Sequence, residues 1–318
     1  MSTKSIEISK TIISLREAFG ISLTKISIKN KKILVLDADL KGGTGTHHFE
    51  KKYPNQFIQC GIAEQNMFSM ASGIASLGFI PFATTFAVFT LRAFEQIRLQ
   101  ISYENANVKI VSSHGGLDVG PDGKSAQCLE DFACFRSLPN FTIISPCDAN
   151  EMFQATKEII KLKGPVYMRT GRSPITNIYK KNYKFKIGKG HILNKGKKIC
   201  VISTGIQTSI AFNAIKILKN KGFNPTLISM PTIKPLDKNL IIKQIKNHKY
   251  LVSFEDHNII GGLGSAISEV ISDGNFIKLI RMGMMDIPGQ SGEASELKKK
   301  FQIDENALIK KVIKLFNL

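Results

Sequence analysis

The sequence predicts an α/β protein of two domains, each a mainly parallel sheet flanked by helices. Three observations carry this. Short β-branched runs alternate with helix-length stretches, the pattern of parallel α/β layers. After Arg172 the texture changes: Ser173–Gly190 is rich in Pro, Asn, Tyr and Lys and holds no sustained periodicity. The 318 residues are also enough to bury two sizeable cores. The expected domains are residues 1–175 and 191–318, joined by a linker at 176–190.

In the first domain the expected strands are Ile33–Leu36, Phe82–Thr85, Val108–Ser112, Thr142–Ser145 and Val166–Arg169, all short and β-branched or aromatic. Between them, helical spacing of apolar residues marks Gly61–Leu77, Thr90–Ser102, Cys128–Ser137 and Asn150–Lys161. The second domain repeats the alternation. Its expected strands are Ile199–Ser203, Pro225–Ser229, Tyr250–Phe254 and Phe276–Arg281; its helices are Ser209–Lys219, Asn239–Asn247, Gly264–Ser272 and Glu305–Phe316.

Composition narrows the function classes. Hydrophobic residues make up 43% of the chain, yet no apolar run reaches the roughly 18 residues of a membrane span. The segment Met1–Glu7 lacks the apolar core of a secretory signal, which favours a cytoplasmic location and no membrane partner. Five cysteines (Cys60, Cys128, Cys134, Cys147, Cys200) lack metal-ligand spacing and read as free, buried thiols. The net charge of +19 comes mostly from lysines scattered along the chain, as solvated faces are, so no nucleic-acid partner is expected. A basic surface of this kind attracts anionic substrates or an acidic partner.

Four motifs could carry chemistry. Glu64 lies in Gln59-Cys60-Gly61-Ile62-Ala63-Glu64-Gln65, among small residues that open an apolar helix. A buried carboxylate there needs a partner or must hold its proton, although a first-turn acid can also simply complement the helix dipole. Phe86 and Phe89, three residues apart where a strand gives way to a helix, either pack on the sheet or wall a slot for a flat heterocycle. His114 ends a strand and opens a glycine-rich loop through Asp122-Gly123, where open parallel sheets bind ligands. Arg169 and Arg172 end another strand; arginine's planar fork suits phosphate or carboxylate oxygens, and a surface salt bridge is the plainer explanation of either. Gly261-Gly262-Leu263-Gly264 comes late, without a first strand or a downstream ribose-binding acid, and reads as a tight helix entry rather than a dinucleotide site.

Taken in order, these segments resemble the transketolase family, specifically its pyrimidine-binding and C-terminal domains as carried by the separate second subunit of split transketolases. The Gly-Ile-Ala-Glu-Gln run, the Thr-Phe-x-x-Phe run, the His114-to-Asp122 loop, Met230–Asp237 and the Glu255…Gly262-Leu-Gly segment all match, over nearly the whole chain. The resemblance implies a thiamine diphosphate enzyme that moves a two-carbon ketol unit from a ketose to an aldose. It implies that Glu64 is the carboxyl that hydrogen-bonds the cofactor's aminopyrimidine ring, and that Phe86 and Phe89 form that ring's aromatic pocket. Asp39, with Leu40, matches the acidic residue near the cofactor. Arg16 and Arg172 match arginines that grip the acceptor phosphate; His114 and Asp122 match substrate contacts, Asp122 meeting a hydroxyl of the donor sugar.

Two departures accompany the match. Twelve positions after His114 the family carries a second histidine, and this chain has Ala126 followed by Gln127, the neighbour placed to supply a substitute hydrogen bond to substrate. Gly43 stands where a serine helps hold the acceptor phosphate, with Thr44 beside it as a candidate replacement. The family's Gly-Asp-Gly diphosphate motif is missing, since neither Asp122-Gly123 nor Asp273-Gly274 has the leading glycine. The resemblance therefore implies a partner, the separate N-terminal transketolase subunit, which holds the diphosphate and its Mg2+ or Ca2+. The implied assembly is a heterotetramer with two copies of each chain, acting on sugar phosphates. The alternatives are a 2-oxoacid dehydrogenase E1 beta-like subunit, a deoxyxylulose-phosphate synthase-like enzyme and a non-catalytic scaffold subunit.

Overall fold

The computed structural model describes residues 12–274 and 276–318. A two-residue strand β1 (Ile13–Ser14) leads into helix α1 (Leu15–Ile26), whose N-cap Ser14 accepts a hydrogen bond from the Glu17 amide at 3.4 Å. Then follow β2 (Ile33–Asp37), the short helices α2 (Lys41–Thr44) and α3 (His47–Lys52), β3 (Phe57–Gln59) and α4 (Glu64–Ser76). Next come β4 (Ile80–Phe86), α5 (Ala87–Arg92), α6 (Phe94–Gln96) and a π-helical turn at Ile97–Tyr103. The first part closes with β5 (Lys109–Ser113), α7 (Asp131–Ser137), β6 (Thr142–Ile144), α8 (Ala149–Lys161) and β7 (Val166–Arg169). Beyond it, β8 (Pro174–Ile175) pairs with β1 as a small antiparallel ribbon.

Strands β2 to β7 pair in parallel in the order β6-β7-β5-β4-β2-β3. From β2 the chain adds β3 on one side and then crosses to β4 on the other, so the strand order reverses there. That reversal opens a crevice beyond the carboxyl ends of β2 and β4, the usual ligand position in open α/β sheets. Side chains alternate across the sheet: Val35, Val111 and Met168 enter the core with α1 and α8, while Leu36, Ile110 and Tyr167 face Phe68 and Phe132 on the other side. Burial on both faces is why these strands read as continuous apolar runs.

The rest of the chain gives β9 (His191–Asn194), β10 (Ile199–Ser203), α9 (Gln207–Asn220), β11 (Thr226–Ser229), β12 (Thr232–Lys234) and α10 (Lys238–Asn247). It ends with β13 (Tyr250–Asn258), α11 (Leu263–Ser272), β14 (Lys278–Met284), α12 (Ala294–Lys300) and α13 (Glu305–Phe316). The second sheet runs β14-β13-β10-β11-β9, parallel except for β9. Strand β12 leaves this sheet and joins the first one, antiparallel to β6.

Several boundaries differ from the sequence reading. The strand expected at Phe276–Arg281 starts at Lys278 and runs to Met284; Phe276 itself is 94% exposed. The helix expected over Thr90–Ser102 is broken near Ala93 into α5, α6 and the π turn, and α7 starts at Asp131 rather than Cys128. Helices α1, α2, α3 and α12 and strands β1, β8, β9 and β12 have no counterpart in the sequence reading. All five cysteines are free, with Cys128, Cys147 and Cys200 buried. Among the described residues, no helix is long and apolar enough to cross a membrane.

Candidate active site

The crevice is organised by Asp37, the last residue of β2. Its buried carboxylate accepts hydrogen bonds from the Leu40 amide (2.6 Å) and the hydroxyls of Thr44 (2.8 Å), Thr46 (2.9 Å) and Thr84 (2.8 Å). These four hydrogen bonds satisfy the buried carboxyl group and fix the turn that carries Asp39, Leu40 and Gly43. Asp39 is exposed, in the left-handed region at φ 63°, and its amide donates to Gln59 Oε1 at 2.9 Å. The Thr44 hydroxyl, beside Gly43, is engaged by Asp37. The glycine at 43 has a steric reason: a Cβ built there would lie 2.5 Å from Phe86 Cε1.

Phe86 ends β4 at its carboxyl end and is the N-cap residue of α5. It stacks on His114 with centroids 3.7 Å apart and an interplanar angle of 20°, and on Phe89 at 5.6 Å and 9°. His114 follows the end of β5 with φ 59°, is almost fully buried, and its Nδ1 lies 2.8 Å from Ser113 Oγ. Burial, then the charges of Arg16 and Arg172, push its pKa down to about 4, against smaller opposing effects of Asp122 and Asp118. It is therefore a neutral imidazole near pH 7. Arg16, in the first turn of α1, reaches Gly43 O at 3.5 Å, and its buried Nε has no hydrogen-bond partner among the described residues.

The loop after His114 runs through 3-10 turns over Leu117–Ser125. On it, Asp122 pairs with Arg172 at 3.1 Å, and the same Arg172 nitrogen also donates to Val119 O. Buried Asp118 accepts from the amides of Arg172 (2.9 Å) and Ser173 (2.8 Å) and from Lys298 Nζ (2.9 Å) of α12. Burial alone would raise its pKa, but Lys298 and the Ser173 amide outweigh it and hold the carboxylate below its ordinary range. Asp256, at the end of β13, accepts from the Leu117 and Asp118 amides. Gln127 is also buried; its Nε2 donates to Gln290 O (2.9 Å) and Gly120 O (3.5 Å), so that donor holds the loop instead of facing a substrate.

Glu64 is the first residue of α4 and only 4% exposed. Its nearest charge is Arg92 Nε at 3.9 Å, on the helix that carries Phe89, and its carboxylate accepts no hydrogen bond among the described residues. The structure thus brings Arg16, Gly43, Phe86, Phe89 and His114 together, joins Asp122 to Arg172, and ties Glu64 to α5 through Arg92. Arg169 is not at a ligand site: it is buried against Asp131, with its Nη1 donating to Asp256 O and its guanidinium over the Phe132 ring. The sequence reading missed Asp37, Asp118, Asp256 and Lys298. The partners that define Asp118, Asp256 and Lys298 lie 54 to 180 residues away, beyond any local pattern, and Asp37 draws on Thr84, 47 residues on, besides its near neighbours. A groove of about 830 Å3, lined by Arg281, Lys299, Lys300, Lys310, Lys311 and Lys314 among others, lies elsewhere and contains none of these site residues.

A doubly wound sheet with a buried acid, an aromatic stack and an arginine around its switch point defines an α/β chain with a crevice in the usual ligand position of such sheets. Residues 12–176 match the transketolase pyrimidine binding domain and residues 188–308 the transketolase C-terminal domain. A Methanocaldococcus jannaschii chain provisionally described as a transketolase C-terminal section is 41% identical over 312 residues, covering 97% of this chain and 98% of that one. Rat transketolase is 36% identical over 304 residues, 94% of this chain but 48% of the enzyme. A solved split gene transketolase, described as an inactive beta4 tetramer, superposes with a TM-score of 0.89 at 38% identity, over 96% of this chain and 99% of that one. This chain belongs to the transketolase family, and it spans about half the length of the full-length transketolases it matches.

Proposed function

We propose that this chain is the aminopyrimidine-binding subunit of a split, thiamine diphosphate-dependent transketolase. Residues 1–175 form its pyrimidine-binding domain, 176–190 a linker and 191–318 its C-terminal domain. A separate N-terminal subunit supplies the diphosphate-binding domain with Mg2+ or Ca2+, in a heterotetramer with two copies of each chain. The observation that carries this is Glu64: a carboxylate 4% exposed, at a helix start, with a 3.9 Å ion pair to Arg92 and no hydrogen bond among the described residues. It has unused capacity to bond a ring nitrogen. The matched half-length relatives support the partner, one of them described as inactive in its beta4 form.

The residues present fit the cofactor's pyrimidine end. Phe86 and Phe89 offer near-parallel aromatic faces that exclude water from a flat heterocycle, and Glu64 supplies the acid it needs. When bound, thiamine diphosphate supplies the nucleophilic carbon that takes a two-carbon ketol unit from a ketose to an aldose. Glu64 holds a proton at the pyrimidine ring. His114, a neutral imidazole, orients a sugar oxygen by hydrogen bonding, and Asp122 meets a donor hydroxyl on a loop fixed by Arg172. Arg16, with its unpartnered Nε, is available to an acceptor phosphate. Sugar phosphates are the substrates, and the assembly works in the cytoplasm.

The test is reconstitution of this chain with its N-terminal subunit, followed by an assay of cofactor-dependent ketol transfer. Glu64→Gln is expected to lower turnover by about 100-fold or more with an unchanged melting temperature, because positioned acid–base groups contribute at least that much. Retention of more than about a tenth of the activity contradicts the assigned role. Cofactor binding without turnover on any ketose would favour a scaffold subunit.

A further inference from the structure

The geometry points to a divalent transition-metal site of the zinc type formed by Glu17, His47 and His48. Glu17 sits in the first turn of α1; the two histidines open α3. Glu17 Oε2 lies 2.7 Å from His48 Nε2 and 4.0 Å from His47 Nε2, and the three ligand atoms all fall within 4.8 Å of one another. A tetrahedral ion with bonds of about 2.0–2.2 Å separates its ligands by about 3.3 Å, between the two observed distances, so small ring rotations close the site.

Other features suit a metal better than a simple strut. His47 Nδ1 lies 3.3 Å from Lys41 O, and a metal-binding imidazole commonly donates its second nitrogen to a backbone carbonyl in this way, leaving the Nε2 lone pair free. A helix-to-helix strut needs only the Glu17–His48 contact, yet a second ring is stacked beside the first, with centroids 4.0 Å apart. Arg16, next in the chain, bonds Gly43 O rather than Glu17. All three side chains are partly exposed (30%, 42% and 28%), which leaves room for water at the fourth position. Two imidazoles and one carboxylate match zinc and its neighbours, whereas Mg2+ and Ca2+ prefer all-oxygen sets, so this site is separate from any ion that accompanies a diphosphate.

The test uses the full chain stripped with a chelator and titrated with Zn2+ by calorimetry and with Co2+ by visible absorption. One equivalent per chain is expected, with a ligand-field band for Co2+. His47→Ala and Glu17→Gln should each weaken binding by more than the roughly tenfold that losing even an outer-shell partner costs, and His47→Ala/His48→Ala should abolish it. His47→Ala leaves the Glu17–His48 contact in place, so it tests the site even if the double variant folds poorly. Failure to reach one equivalent overturns the proposal. So does undiminished uptake by His47→Ala and Glu17→Gln, which would place the ion elsewhere, for example on the part-exposed thiols of Cys60 and Cys134.

Discussion

At the scale of single residues, His114 sets an acid limit on stability. Its pKa is about 4 in the folded chain and about 6.5 when unfolded. Between those values the unfolded chain binds a proton that the folded one refuses, so stability is full above about pH 6.5 and falls as pH drops towards 4. His257, buried against Phe132, is pushed down to about 4 first by burial and adds to the same limb. Glu151 and Glu255, raised to about 7 first by burial, act in the opposite sense, losing stability as pH rises from about 4.5 to 7. The difference between wild type and His114→Asn isolates the first effect, asparagine being tolerant of the positive φ at this position. Denaturant midpoints at pH 7.5, 6 and 5 should fall more steeply for the wild type. Parallel curves would mean that His114 titrates elsewhere.

At the scale of elements, legibility followed periodicity. Helix α8 was readable because its apolar face repeats at helical spacing, and the parallel strands because they are apolar runs. Helix α1 was hidden: Leu15, Ala18, Phe19, Gly20, Ile21, Ser22 and Leu23 are all buried, leaving little polar face to reveal a period. The site followed the same logic. Glu64, Phe86, Phe89 and His114 sit in compact motifs at strand or helix ends, whereas Asp37 draws one of its four donors from Thr84, 47 residues on. A close approach explains how α1 takes its place. A Cβ at Gly20 would lie 1.9 Å from the Gly45 carbonyl oxygen, so only glycine lets α1 touch the segment between α2 and α3. Gly20→Ala is expected to destabilise the fold by about 1–3 kcal/mol or more, as overpacking does. Urea denaturation reads this directly, and a loss below about 0.5 kcal/mol would show that the backbone yields easily.

At the scale of the molecule, the second sheet does more than sit beside the first. Lys298 reaches from α12 to buried Asp118, which in turn holds the amides of Arg172 and Ser173, while Asp256 holds the start of the same loop. Removing one partner of a buried pair strands the other charge, at a cost of about 3–5 kcal/mol. Lys298→Met should therefore lower stability by about 3 kcal/mol in urea and reduce kcat/KM in the reconstituted complex through a misplaced Arg172. A stability change below about 1 kcal/mol would contradict this bracing.

Strand β12 has a further consequence. Its residues Thr232 and Lys234 lie opposite Ile144 and Ile143 of β6, so the sheet that begins the chain is hemmed by a strand from its far half. Cutting the polypeptide between β8 and β9 would leave that hem behind and bare the outer rim of β6, an invitation to stick to other molecules. The two halves are stitched into one fabric, and neither should be harvested alone as a tidy, soluble fragment.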